Sequence, residues 1–248
     1  MQIRRFYVPD LSSTEGDVAL PEGESQHALR VLRMQPGDEL LLLNGRGLIA
    51  HAKLLPPEPG VRRAHQAMCQ ILDKQFYPQS EPTLELCVAP PRGKAFDLVL
   101  RAATELGYAV IQPILCRYGV ARPDGVADGW QETLIAALKQ SCNPWLPEVR
   151  SPREFSAVLA ESVPGVFGAS PAAEATPHQP LSFVAARQVQ RIWVGPEGGF
   201  AVEEEKALLS AGVIPITIGT ATLRVETAVP ALTGFLFGRL PEPEGKSS

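Results

Sequence analysis

Two glycine-bearing runs near the end of the chain, GPEGGF (Gly195 to Phe200) and IGTATLRVETA (Ile218 to Ala228), carry the residues best suited to chemistry. Gly198 and Gly199 allow a backbone to approach a ligand closely. Glu203, Glu204 and Glu205 follow in the first turns of an expected helix, where the helix dipole favours carboxylates. The same acids repel phosphate at that helix end, and the run lacks the GK[ST] ending of a phosphate-binding loop, so a nucleoside triphosphate is a poor ligand. S-adenosylmethionine suits the loop better: it has no phosphate, its adenine wants an apolar slot, and its sulfonium is cationic. Alone, GPEGG is also the composition of an ordinary glycine turn. Arg224 and Glu226 lie two residues apart on the second run, either as a surface ion pair or as groups that meet a ligand.

The elements around these runs decide where they point. RIWV ends in a buried strand, Ile192 to Val194, just before GPEGGF, and AVEEEKALLSAG reads as a helix closed by Gly212. A second buried strand, Val213 to Ile218, delivers Gly219 to the carboxyl edge of a sheet, where open α/β sheets bind ligands. Pro230 lacks an amide hydrogen and belongs in a first helical turn, which sets the next helix start near Thr227 as N-cap. Arg224 and Glu226 then lie on the loop itself.

Further back, LELCVAP, KAFDLVLRAATELG, AVIQPILC and WQETLIAALKQSC alternate strand and helix, the pattern of an α/β layer with parallel strands. The helix from Lys94 to Leu106 puts Phe96, Leu100, Ala103 and Leu106 on one stripe, with Gly107 closing it. Residues 1–72 read instead as a small β-rich domain of short runs, with a hairpin reversal at Asn44-Gly45 or Gly45-Arg46-Gly47. HALRVLRM (His27 to Met34) fits helix and strand equally. The expected division is therefore residues 1–72, 73–240 and a disordered tail, 241–248, with FYPQSEP (Phe76 to Pro82) as linker. Val163 to Ser182 reads as one strand, GVFGAS, followed by an irregular loop.

Composition narrows the function classes. Hydrophobic residues make up 45% and charged residues 20% of the 248, an ordinary folded balance. No apolar run approaches the roughly 18 residues of a membrane span, and MQIRRFYVPD lacks a signal-peptide core, so a cytoplasmic protein is expected. Cys69, Cys87, Cys116 and Cys142 form no CxxC pair, and His27, His51, His65 and His178 have no metal-ligand spacing, so no metal is expected. A net charge of -4 counts against a wholesale electrostatic grip on nucleic acid. Local arginines at Arg4 and Arg5, Arg30 and Arg33, Arg46, and Arg62 and Arg63 leave room for a local one.

GPEGGF followed by IGxxxLRVETA, with RRFYVP, HALRVLRM and its PGD, KAFDLVLRAATELG, QPILCRYGV and KQS in order, resembles the RsmE-type 16S ribosomal RNA uridine N3-methyltransferases of the SPOUT superfamily. The resemblance spans nearly the whole chain. It implies a PUA-like β-barrel RNA-binding domain before an α/β trefoil-knot methyltransferase domain, a homodimer, S-adenosylmethionine as cofactor, and 16S ribosomal RNA of the small ribosomal subunit as partner. Carried over by position, Gly195, Pro196, Glu197, Gly198 and Gly199 form one wall of the cofactor site, and Ile218, Gly219, Leu223 and Thr227 another. Phe167, Gly168 and Ala169 add a third. Arg224 and Glu226 become the catalytic candidates, and Arg5, Arg30, Arg33 and Lys94 the RNA contacts. CNPWL (Cys142 to Leu146) departs from the arginines found there in relatives, which puts an RNA contact at that point in doubt. A SPOUT enzyme acting on another base or a ribose 2′-hydroxyl, and a catalytically inactive ribosome-assembly factor, are the alternative readings.

Overall fold

In the computed structural model, which describes residues 3–12, 16–57, 66–79, 81, 83–169 and 189–237, the chain divides into two units. Met1–Gln79 with Ile135–Leu146 form one, and Ser80–Leu134 with Pro147–Ser248 the other. Arg62, Arg63, His65, His178, the stretch from 170 to 182 and the expected 241–248 tail lie outside the described residues.

In the first unit LIAHAKL forms β4 (Leu48–Leu54), which buries every second residue as a half-covered strand must. It pairs antiparallel with β3 (Glu39–Leu43) and β5 (Met68–Phe76), while β1 (Arg4–Tyr7) runs parallel to β3 and β2 (Asp17–Ala19) lies beside β5. The expected reversal between β3 and β4 is made by the buried Asn44. Its side-chain oxygen accepts from the Arg46 and Leu48 amides at 2.7 and 3.0 Å, and its amide donates to the Leu11 carbonyl at 3.2 Å. A register shift at His51/Ala52 bends the sheet about a core that includes Phe6, Leu20, Leu40, Leu42 and Leu54. HALRVLRM resolves as helical: α1 (Glu22–Gln26) runs into a π-helical turn, His27–Val31, that buries Ala28 and ends at Arg33 with φ 53°.

Strand β5 continues its ladder to Phe76, opposite Leu48, so residues 73–76 belong to this sheet and the chain leaves it later than the pattern suggested. Sequence-distant residues complete the unit. Arg46 and Trp145 form an antiparallel bridge, the Gly47 amide donates to the Pro144 carbonyl at 2.9 Å, and the Leu146 amide donates to the Gly45 carbonyl at 3.0 Å. The Trp145 indole donates to the Tyr77 carbonyl at 2.9 Å and meets Phe76 edge-on at 6.1 Å. A Cβ on Gly47 would stand 2.7 Å from both the Trp145 ring and the Tyr77 carbonyl oxygen, so only glycine fits under this clasp. CNPWL thus has a structural use.

The second unit is a parallel sheet in the order β12-β10-β11-β6-β7-β8, from β6 (Thr83–Val88), β7 (Val110–Leu115), β8 (Glu148–Val149), β10 (Gly165–Gly168), β11 (Val189–Val194) and β12 (Ile214–Ile216), with β9 (Arg153–Glu154) also beside β7. Near-continuous apolar runs suit strands covered on both faces. The helices are α2 (Ala95–Glu105), α3 (Asp128–Ser141, of which the part from Ile135 belongs to the first unit), α4 (Phe155–Leu159), α5 (Val202–Ser210) and α6 (Val225–Phe237). Phe96, Val99, Leu100 and Ala103 form the buried stripe of α2, and Gly107 takes φ 80° after it, as expected. Inside the sheet the buried Arg191 donates to Glu85 (Nε, 2.9 Å), to Glu161 (2.8 Å) and to the Val158 carbonyl (3.3 Å). Arg153 pairs with the other oxygen of Glu161.

Helix α6 follows β12 at the sheet edge, yet packs on β11 and α2, where the buried Tyr108 hydroxyl and Thr233 share a 2.6 Å hydrogen bond. Its start corrects the sequence reading. The Thr227 and Ala228 amides already bond the Arg224 carbonyl at 3.0 and 2.8 Å, so the helix begins at Val225 and Pro230 falls in its second turn. Without an amide hydrogen there, the Glu226 carbonyl loses its helical donor, a cost the helix absorbs through packing. Glu226 therefore sits in the first turn, not on the loop.

Candidate active site

Three loops at the carboxyl ends of β10, β11 and β12 enclose a cavity of about 260 Å³ in the second unit. Gly168 and Ala169 line it after β10, Val194 to Phe200 after β11, and Ile216, Ile218 and Ala221 to Leu223 after β12. Val225, Ala228 and Leu232 of α6 close it from one side, and Glu205 of α5 from another. The Ala169 amide donates to the Ile216 carbonyl at 2.9 Å, tying the first and third loops together. Within GPEGGF the Gly199 amide donates to the Pro196 carbonyl at 2.8 Å, with Gly199 at φ 77°, a left-handed conformation that suits glycine. A Cβ on Gly195 would press on Phe200 at 3.1 Å.

The three successive glutamates, alike in sequence, have different surroundings. Glu204 accepts from the Ala201 amide at the start of α5 and from the Arg117 amide, each at 2.8 Å. Glu203 pairs with the Arg117 guanidinium at 3.0 Å. Glu205 has no ion-pair partner among the described residues and faces the cavity, where burial raises its pKa above the ordinary carboxylate value. With Glu197 it makes two carboxylates in a lining that, among the described residues, holds no lysine or arginine. Such walls disfavour a phosphate and favour an uncharged or cationic ligand with apolar parts.

Of the residues expected to hold a cofactor, Gly168, Ala169, Gly195 to Gly199, Ile218 and Leu223 are brought together here. Phe167 is not in the lining. It is a core residue 2% exposed and edge-on to Phe200 at 6.1 Å, supporting the loop from behind. Gly219, at φ 68°, and the exposed Thr227 also stay out of the lining. Arg224 and Glu226 flank the lining residue Val225, with their charged atoms 4.0 Å apart and their side chains 83% and 18% exposed. Glu205, Val225, Ala228 and Leu232 were missed, although the last three carry the three- and four-residue spacing of one helix face once the helix begins at Val225.

The expected RNA contacts also differ from one another. Arg30, Arg33 and Lys94 are exposed. Arg5 instead donates to the carbonyls of Lys139 and Gln140 at 3.2 and 2.6 Å, capping the end of α3. Cys69, Cys87 and Cys116 are buried free thiols, and burial pushes those of Cys69 and Cys87 up to about 12, too high for a nucleophile at neutral pH. Among the described residues no cluster of three potential metal ligands occurs, and no helix is long and apolar enough to cross a membrane.

A family model described as "RNA methyltransferase domain" matches residues 78–236, and one described as "RNA methyltransferase PUA domain" matches residues 20–59. A ribosomal RNA small subunit methyltransferase E from Mycobacterium bovis is 30% identical over 241 residues, covering 92% of this chain and 89% of that protein. The chain belongs to this methyltransferase E family. A family member from Synechocystis is 28% identical over 90% of this chain and 74% of its own length. The crystal structure of a Neisseria gonorrhoeae member bound to S-adenosyl methionine superimposes with TM-score 0.83 at 27% identity, covering 96% of this chain and 98% of that one. The architecture of the family, a PUA-like N-terminal unit and a SPOUT-type parallel α/β unit, is the one described above.

Proposed function

We propose that the chain transfers a methyl group from S-adenosylmethionine to N3 of a specific uridine in 16S ribosomal RNA of the small ribosomal subunit, in the cytoplasm and as a homodimer. The observation that carries the reading is the cavity itself: three glycine-bearing loops, two carboxylates and, among the described residues, no cation. That lining fits a cofactor with an apolar adenine edge, a cationic centre and no phosphate. The Neisseria relative, crystallised with S-adenosyl methionine, supports the same assignment.

Gly195 to Gly199, Gly168, Ala169, Ile218 and Leu223 hold the cofactor through backbone and apolar contacts, and Glu205 attracts its positive charge. When bound, S-adenosylmethionine supplies an electrophilic methyl group. N3 of uracil carries a proton on the pairing edge, so the base must be unpaired and its N3 deprotonated before transfer. Glu226 accepts that proton and Arg224 stabilises the charge left on the ring, both from the start of α6 beside the cavity. Arg30 and Arg33 of the first unit and Lys94 of the second hold RNA phosphates. The passage of α6 from the sheet edge back onto β11 and α2 is in keeping with a trefoil-knotted path.

Calorimetry with S-adenosylmethionine tests the cofactor, and tritiated methyl transfer to small subunits lacking the modification tests the substrate. Nucleoside mass spectrometry should return N3-methyluridine, and a ribose-methylated product would refute the assignment of the target atom. Glu226→Gln should lower kcat by roughly a hundredfold or more while leaving cofactor affinity unchanged. Sedimentation of the purified chain tests the dimer.

A further inference from the structure

The loop after β7 carries an aromatic side chain that the chemistry above does not use. Tyr118 is 50% exposed, and its Cβ stands 3.6 Å from where a Cβ on Gly198 would be. The tyrosine therefore flanks a glycine that lines the cavity. Its loop is braced by arginines. The Arg117 guanidinium lies over the Tyr118 ring, 5.8 Å from the centroid, and is itself held by Glu203 at 3.0 Å. Arg122 donates to the Cys116 carbonyl at 3.1 Å and Arg92 to the Val120 carbonyl at 3.4 Å, while the Gly119 amide closes the turn on Cys116 at 3.1 Å.

A fixed loop that leaves a large ring in water forgoes the stabilisation of burying it. The surrounding charge identifies what the ring is for. Arg92, Arg117 and Arg122, the last also 3.9 Å from Glu154, place three guanidinium groups on one loop and its neighbour, and Arg117 adjoins the tyrosine that flanks the cavity's Gly198. An aromatic face among arginines is the combination that holds single-stranded nucleic acid, with bases stacking on the ring and phosphates meeting the cations.

We propose that Tyr118 is a positioning residue on which an unpaired base of the RNA strand stacks as that strand enters the cofactor cleft. The proposal rests on the RNA methyltransferase reading above, and it adds a residue outside the glycine loops and outside α6.

The test compares the wild-type chain with Tyr118→Ala and Tyr118→Phe. The affinity of each for fluorescent small-subunit RNA and for S-adenosylmethionine is measured, with KM and kcat for methyl transfer. Tyr118→Ala should weaken RNA binding and raise KM by roughly ten- to a hundredfold, with cofactor affinity and sedimentation unchanged. Tyr118→Phe, which keeps the ring, should stay close to wild type. Equal RNA affinity for Tyr118→Ala and wild type overturns the proposal, as does a loss that Tyr118→Phe shares. A changed sedimentation coefficient in Tyr118→Ala also overturns it and assigns the ring to a contact between copies of the chain. RNA affinity that depends on Tyr118 in a chain that transfers no methyl group upholds the proposal and sinks the functional reading. Transfer by wild type and Tyr118→Ala at the same KM does the reverse.

Discussion

Two carboxylates of the second unit, Glu161 and Glu205, face opposite electrostatic conditions. Glu161 meets Arg153 and the buried Arg191, and the hydrogen bond from Arg153 leads the effects that hold its carboxyl below the ordinary range. Among the described residues Glu205 meets no cation, and burial alone raises it. The first is charge compensated within the fold. The second is charge left uncompensated beside a cavity, an arrangement that costs folding stability and gains meaning only when a cation arrives from outside. The difference separates a structural ion cluster from a ligand site.

Breaking the compensated cluster should have the largest effect. Arg191→Ala removes the buried partner of Glu85, which keeps only Arg150 at 3.9 Å, and should cost about 3 kcal/mol in urea unfolding, while the fraction that remains folded binds S-adenosylmethionine normally. Next, Glu205→Gln should weaken S-adenosylmethionine binding about tenfold by calorimetry, a loss in the range of one charge-assisted contact. An unchanged affinity would show that Glu205 does not face the cation.

The same substitution should act oppositely on the free protein. A raised carboxyl pKa stabilises the fold most below its ordinary value near 4.5 and loses that contribution as pH rises through the raised value. At pH 7 the ligand-free Glu205→Gln protein should therefore melt above wild type, the gap closing as pH falls below 4.5. Glu161→Gln should show the reverse sign and the smallest effect, since its carboxyl is one-third exposed and Arg191 keeps Glu85. Its pKa is lowered, so its contribution is present above 4.5 and is lost as pH falls through the lowered value. Thermal melts from pH 7 to pH 3 read both curves.

Much of this was legible because it is local. Alternating apolar runs placed the parallel strands and α2, and glycine loops after buried strands located much of the cavity lining. What escaped depends on tertiary partners. The first two of the three glutamates are taken up by Arg117 and by the Ala201 amide, so only a folded chain distinguishes Glu205 from its neighbours. Arg5 reads as a free surface cation until α3, more than 130 residues away, brings carbonyls to its guanidinium. Pro230 misdirected the start of α6 because packing against α2 and β11 sustains a helix that propensity alone would begin later.

The Trp145 clasp has a practical consequence for anyone who would exchange parts between relatives. Because residues 135–146 complete a unit built mainly from the first 79, no single cut separates the two units. A fragment ending at Gln79 would lose the indole that covers Phe76 and Gly47, and with it the hydrogen bonds at Gly45 and Gly47. A chimaera that swaps the N-terminal unit must carry both segments together, grafted at two junctions rather than one.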